Sequence, residues 1–170
     1  MFSDYTALFL DRDGTLIVDR NYLSKPADVQ LLPGVKETLH VLKKRKYLFF
    51  LFTNQSGIGR GYFTLQEVEI CNKRMMELLE FTDQFFTRVC IAPGIPTMPD
   101  PYRKPSPKFI FECLDEFQLD PNKCWMVGDK PTDIQAGNNA HIHTIALGDQ
   151  EKGLADYCCK DFHDILNVLP

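Results

Sequence analysis

Short apolar runs alternate with helical patterns along the whole chain. Five runs read as buried strands: Tyr5–Leu10, Tyr47–Thr53, Arg88–Ile91, Cys124–Val127 and His143–Leu147. Between them, apolar residues at helical spacing predict helices over Val35–Arg45, Leu65–Glu80, Pro107–Phe117, Thr132–Asn139 and Asp161–Val168. Thr64 followed by Glu67 makes a capping box, and Ser106-Pro107 places a cap before a first-turn proline. This strand–helix order predicts an α/β fold, a Rossmann-like parallel sheet with helices on both faces. Such sheets bind ligands at the carboxyl ends of their strands.

Four polar segments stand at or just beyond those ends: Asp11–Thr15, Thr53–Gly61, the loop around Arg103-Lys104, and Gly128–Asp133. In Asp11-Arg12-Asp13-Gly14-Thr15, strand periodicity sends Asp11 and Asp13 to one side and Arg12 to the other. Two carboxylates there suit a hard divalent cation, or a nucleophile beside an acid/base; the competing reading is a solvated Asp-Gly turn. Thr53-Asn54-Gln55-Ser56-Gly57 offers a hydroxyl and backbone N–H groups to a phosphoryl oxygen, or is a plain polar turn. Its glycines match neither a dinucleotide fingerprint nor a Walker loop. Lys104 can neutralise phosphate oxygens as charge shifts in a transition state. Asp129 faces the first strand's carboxylates, whereas Asp133, in a first helical turn, is equally explained by the helix dipole.

Composition narrows the classes. A chain of 170 residues, 44% hydrophobic, suits one domain spanning 1–170. The net charge of −4 argues against a nucleic-acid partner, and Lys43–Lys46 reads as a solvated helix end. The longest apolar run, Tyr47–Phe52, is too short for a bilayer, and Asp4, Asp11 and Asp13 interrupt any export signal, so the expectation is a cytoplasmic protein without a membrane partner. The six cysteines (Cys71, Cys90, Cys113, Cys124, Cys158, Cys159) form no paired metal motif; most read as small buried hydrophobes, and the adjacent Cys158-Cys159 is the pair open to accidental oxidation. Thiolate, histidine and serine phosphatase signatures are missing: there is no Cys-x5-Arg, no Arg-His-Gly and no Gly-x-Ser-x-Gly.

Taken in order, Asp-x-Asp-Gly-Thr, strand-end Thr53, Lys104 and Gly-Asp-x-x-x-Asp resemble the four motifs of the haloacid dehalogenase-like phosphohydrolases, over residues 5 to about 147. Asp-Arg-Asp-Gly-Thr, Thr-Asn-Gln-Ser-Gly-Ile-Gly-Arg-Gly, Arg103-Lys104-Pro105 and Gly-Asp-Lys further resemble the branch of heptose-bisphosphate and histidinol-phosphate phosphatases, closer to its heptose-bisphosphate side.

The resemblance implies that Asp11 attacks phosphorus and Asp13 serves as acid, then base. It implies Mg²⁺ held by Asp11, the Asp13 carbonyl and Asp129, with Thr53 and Lys104 stabilising the phosphoryl group. Asp19, Arg20, Asn21, Tyr22, Asn54, Gln55, Ser56, Arg103 and Lys130 match positions that meet substrate; for Asp19–Tyr22 an ordinary polar rim is the alternative. The implied reaction releases the 7-phosphate of heptose 1,7-bisphosphate for lipopolysaccharide precursors. Histidinol phosphate is the second substrate, and a non-catalytic phospholigand-binding protein the rival class.

Relatives in this branch usually carry a zinc loop of the form Cys-x-His…Cys-x-Cys before Arg-Lys-Pro. Here only Cys90 remains, so no zinc is expected, and six prolines from Pro93 to Pro107 stiffen the loop instead. Segments 16–52 and 54–103 are too short for a large cap domain, which leaves an open site for a small phosphorylated metabolite, on a monomer.

Overall fold

The computed structural model describes residues 4–95, 97–98, 100–148 and 154–170. Six parallel strands form one sheet: β1 (Ala7–Leu10), β2 (Leu48–Asn54), β3 (Arg88–Ala92), β4 (Cys124–Gly128), β5 (His143–Leu147) and β6 (Tyr157–Cys159). Their order across the sheet is β3-β2-β1-β4-β5-β6, so β1 lies inside it. Leu8 pairs with Phe49 on one side and Trp125 on the other.

The helices are α1 (Val35–Lys44), α2 (Ser56–Gly59), α3 (Leu65–Leu79), α4 (Lys108–Glu116) and α5 (Pro131–Asn139). Every residue of β1 is fully buried, as two covered faces require. Leu8 and Leu10 join Val35, Leu39 and Leu42 of α1 and Cys71, Met75 and Leu79 of α3 in one core. Ala7 and Phe9 join Phe109, Ile110 and Cys113 of α4 and Ala136 of α5 in the other. Phe9 stacks on Phe50 at 4.7 Å between ring centroids and meets Phe109 edge-on. Burying each such ring is worth about 1.5–3 kcal/mol.

Helix ends follow the local chemistry. Thr64 Oγ1 accepts from the Glu67 N–H at 3.2 Å and Glu67 returns the bond to the Thr64 N–H at 2.7 Å, so the capping box starts α3. Glu80 in a left-handed conformation stops that helix. Gly34, at φ 78°, lets the chain turn into α1. The start of α4 differs from expectation by one step. Pro107 is the cap residue rather than the first helical one, and Ser106 Oγ accepts from the Lys108 N–H at 3.3 Å.

Two elements depart from the sequence reading. Asp161–Val168 is not an α-helix but a short 3-10 turn over His163–Asn167. Asp161 accepts from the His163 and Asp164 N–H groups and tightens that turn, and Ile165 alone is buried within it. The edge strand β6 was absent from the expectation; its three residues are too few to show a period. There Cys158 is exposed and Cys159 buried, an alternation that separates the adjacent thiols. Cys71, Cys113 and Cys124 are buried and Cys90 half-buried, and desolvation pushes the Cys113 and Cys124 thiols up to about 12. Two of the loop prolines, Pro96 and Pro99, lie outside the described residues. Among the described residues no helix is long and apolar enough to cross a membrane.

Candidate active site

The carboxyl ends of β1, β2 and β4 converge as the strand-end rule requires. Asp11 follows β1 directly, and its N–H is still laddered to the Val127 carbonyl of β4 at 3.0 Å. Its side chain is 7% exposed. Lys104, from the proline-rich loop, is equally enclosed. Its Nζ donates to Asp11 Oδ1 at 2.6 Å and to the Phe52 carbonyl at 2.7 Å, and it lies 2.6 Å from Asp133 Oδ1 in an ion pair. Burial works against the ammonium, but Asp11 and Asp133 outweigh it and hold the Lys104 pKa above its usual range. For Asp11 burial wins and pushes the carboxyl up, with Lys104 offsetting it in part.

Asn54 positions Lys104 from the end of β2. Its side-chain amide accepts from the Lys104 N–H at 3.0 Å and donates to the Lys104 carbonyl at 3.1 Å, imitating a ladder pair where no strand exists. The residue is therefore a brace for the loop as well as part of the cleft wall. Thr53 is buried, and its Oγ1 accepts from Gln55 Nε2 at 2.8 Å.

Asp129 leaves β4 and α5 begins at Pro131, so Asp133 falls in the first helical turn. Asp133 Oδ2 accepts from the Lys130 N–H at 3.0 Å, while its Oδ1 is buried without a hydrogen bond and faces the Lys104 ammonium. Asp11, Asp129 and Asp133 each offer a carboxylate oxygen within 4.8 Å of the others. Burial and the Asp11 charge push the Asp129 carboxyl up to about 7. Three acids crowded around one buried ammonium leave excess negative charge, which fits a hard divalent cation. Gly14, at φ 88°, keeps the opposite wall low, since a Cβ there would run into the Asp129 carboxylate.

Asp13 also lines the site, but its carboxylate is turned to other partners: Arg12 Nε at 2.8 Å, Arg12 Nη2 at 3.1 Å and Gln55 Nε2 at 2.9 Å. This corrects the strand-based placement of Arg12. The strand ends at Leu10, the loop curls back, and the fully buried guanidinium reaches the same carboxylate it was expected to avoid.

A cleft of about 170 Å³ opens beside these groups, lined by Asp13, Asp19, Asn21, Tyr22, Leu23, Asn54, Gln55, Ser56, Gly57 and Lys130. Across its mouth Lys130 Nζ meets Asp19 Oδ2 at 2.9 Å. That contact and the Asn21 N–H outweigh burial and hold Asp19 low, and Lys130 is held high by the same pair. Tyr22 packs edge-on against Tyr62 at 4.9 Å, joining the 16–34 flap to the segment after α2. Arg20 and Arg103 are placed elsewhere: Arg20 Nη2 binds Gln30 Oε1 at 3.0 Å, and Arg103 Nη1 binds the Gly94 carbonyl at 2.8 Å. Gly57 of the Thr53–Gly61 segment and Leu23, which no motif signalled, complete the wall.

The family profile for haloacid dehalogenase-like hydrolases matches residues 15–147, beginning just after the two strand-end acids. The chain belongs to this family. Among its relatives, the D-glycero-alpha-D-manno-heptose-1,7-bisphosphate 7-phosphatase of Campylobacter jejuni is 35% identical over 166 residues, covering 96% of this chain and 95% of that one. The D-glycero-beta-D-manno-heptose-1,7-bisphosphate 7-phosphatase of Helicobacter pylori is 34% identical over 168 residues, covering 96% of each. In structure the chain is similar to the D,D-heptose 1,7-bisphosphate phosphatase of B. bronchiseptica, crystallised with magnesium and phosphate. The TM-score is 0.83 at 23% identity, with 96% and 97% of the two chains covered, a likeness of fold. As a haloacid dehalogenase-like hydrolase, the protein carries its acidic cluster where the doubly wound sheet places ligands.

Proposed function

We propose that the protein is a Mg²⁺-dependent phosphatase that removes the 7-phosphate of D-glycero-D-manno-heptose 1,7-bisphosphate through an aspartyl-phosphate on Asp11. One observation carries the reading: Asp11 is clasped at 2.6 Å by a buried lysine, two residues from the cleft-lining Asp13, with carboxylate oxygens of Asp129 and Asp133 within 4.8 Å. An immobile, desolvated carboxylate beside a fixed cation is a nucleophile poised for a phosphoryl group. The two relatives named above, similar over nearly the full chain, support the substrate.

Asp11 forms the new P–O bond as the P–O7 bond breaks, and Asp13 gives its proton to the departing sugar oxygen. Water then attacks the same phosphorus, Asp13 takes the water's proton, and the Asp11–phosphorus bond breaks to release phosphate. Lys104 balances charge on Asp11 and on the phosphoryl oxygens, and Thr53 offers its hydroxyl to them. Asp11 and Asp129, with the Asp13 carbonyl, would hold Mg²⁺, which supplies charge neutralisation to the phosphoryl group when bound. Lys130, Asn21 and Ser56 line the side where the remainder of the sugar lies.

Phosphate release from heptose 1,7-bisphosphate and from histidinol phosphate, each with Mg²⁺, tests the reading. Heptose 1-phosphate as the product, and silence from Asp11→Asn, are the expected results. Turnover of histidinol phosphate alone would overturn the substrate, and no turnover of either would return the chain to a binding role.

A further inference from the structure

Arginine is an unexpected residue to find between two catalytic acids, and its side chain is fully buried. A guanidinium removed from water is costly unless its N–H groups are paired. Here the pairing is complete on three sides. Nε and Nη2 form a two-pronged grip on Asp13, and Nη1 donates to Asn72 Oδ1 at 2.9 Å. Asn72 lies 60 residues away on α3, beside the buried Cys71 and one turn before Met75 and Met76. Gln55 adds the third tie, donating from one amide nitrogen to Asp13 and Thr53.

A planar fork fixes direction as well as charge, which a lysine's point charge does not. We propose that Arg12, anchored to α3 by Asn72, is a positioning residue that sets where the Asp13 carboxyl stands relative to the leaving oxygen. The inference rests on the reading of Asp13 as acid and base. It adds that the acid's place is dictated by a helix that contributes no residue to the cleft lining. Because proton delivery falls steeply with misplacement, loosening the fork slows those esters whose leaving oxygen needs a proton. A nitrophenolate departs as a stable anion and needs none.

Two variants, Arg12→Lys and Asn72→Ala, are therefore compared on heptose 1,7-bisphosphate and on p-nitrophenyl phosphate. On the sugar ester kcat is expected to fall on the order of 10–100-fold with KM little changed. On the aryl ester the loss is expected to be smaller by about tenfold or more. Asn72 is half-buried, so its truncation gives a folded protein even where the arginine variant does not. Equal losses on both esters, or no effect of Asn72→Ala, would overturn the positioning role while leaving the phosphatase intact. A wild-type protein inert toward both esters would instead remove the phosphatase reading, and the inference with it.

Discussion

Lys104 and Asp133 stand 2.6 Å apart with side chains that are each 1% exposed. Asp133 is thus the second wall of a slot whose first wall is Asp11, and the lysine fills it. Breaking such a buried arrangement by deleting one partner costs about 3–5 kcal/mol, because the remaining charges stay desolvated. Lys104→Met leaves Asp11, Asp129 and Asp133 facing one another without the buried ammonium, with Lys130 the more distant charge still acting on Asp11 and Asp129. Its Tm at pH 8 without divalent metal is expected to fall by about 6–20 °C. The deficit should shrink at pH 5, where the Asp129 carboxyl, pushed up to about 7, takes up a proton. Thermal melts at the two pH values check this, and a pH-independent deficit would contradict it.

Asp129 gives a second pH signature. With its carboxyl pushed up to about 7, the folded, metal-free protein binds a proton that the unfolded chain has released above the ordinary carboxylate value of 3.8. The folded state holds more protons across that window, so stability declines as pH rises from about 4 to 7. A cation at the cluster must displace the same proton. Mg²⁺ affinity should therefore rise as much as about tenfold per pH unit toward neutrality and level off above pH 7.5, approximately. Calorimetric titration in buffers of different ionisation enthalpy counts the released proton; affinity that ignores pH would refute the assignment.

Lys130 and Asp19 form a half-exposed pair, which contributes at most about 1 kcal/mol to stability. Its position over the cleft gives it a different value. Lys130→Ala should leave Tm within about 4 °C of wild type and raise KM for a bisphosphate by roughly 10–100-fold, the worth of one charge-assisted hydrogen bond. With kcat little changed, the lysine would be acting in binding alone. Steady-state kinetics decides between that outcome and a kcat loss.

How much of this was legible in the sequence depended on whether a residue's role followed from periodicity. The runs around Phe9, Phe50 and Val127 could only be buried strands. The strand-end rule then grouped Asp11, Thr53 and Asp129 without any knowledge of contacts. Thr64 and Glu67 named their own cap. Asp133 was ambiguous because a carboxylate in a first helical turn satisfies the dipole equally well; only the lysine arriving from a distant loop gives it a second purpose. Arg12 was misplaced because alternation was carried past Leu10, where the strand ends. Asn72 looked like any amide on a helix surface, and no local pattern announces a partner 60 residues earlier. From the sequence Asn54 reads as a substrate contact, and its bracing of the Lys104 backbone depends on a loop with no period at all.

The inside position of β1 has one more consequence, for the order in which a growing chain gains its reactivity. Asp11 is followed by its ammonium partner Lys104 only 93 residues later, and the Asp129 carboxylate that accepts from Thr15 trails that threonine by 114. A nascent chain thus carries an inert aspartate until its central strand is flanked on both sides. The groups around Asp11 come together only when the strands on both sides of β1 are in place.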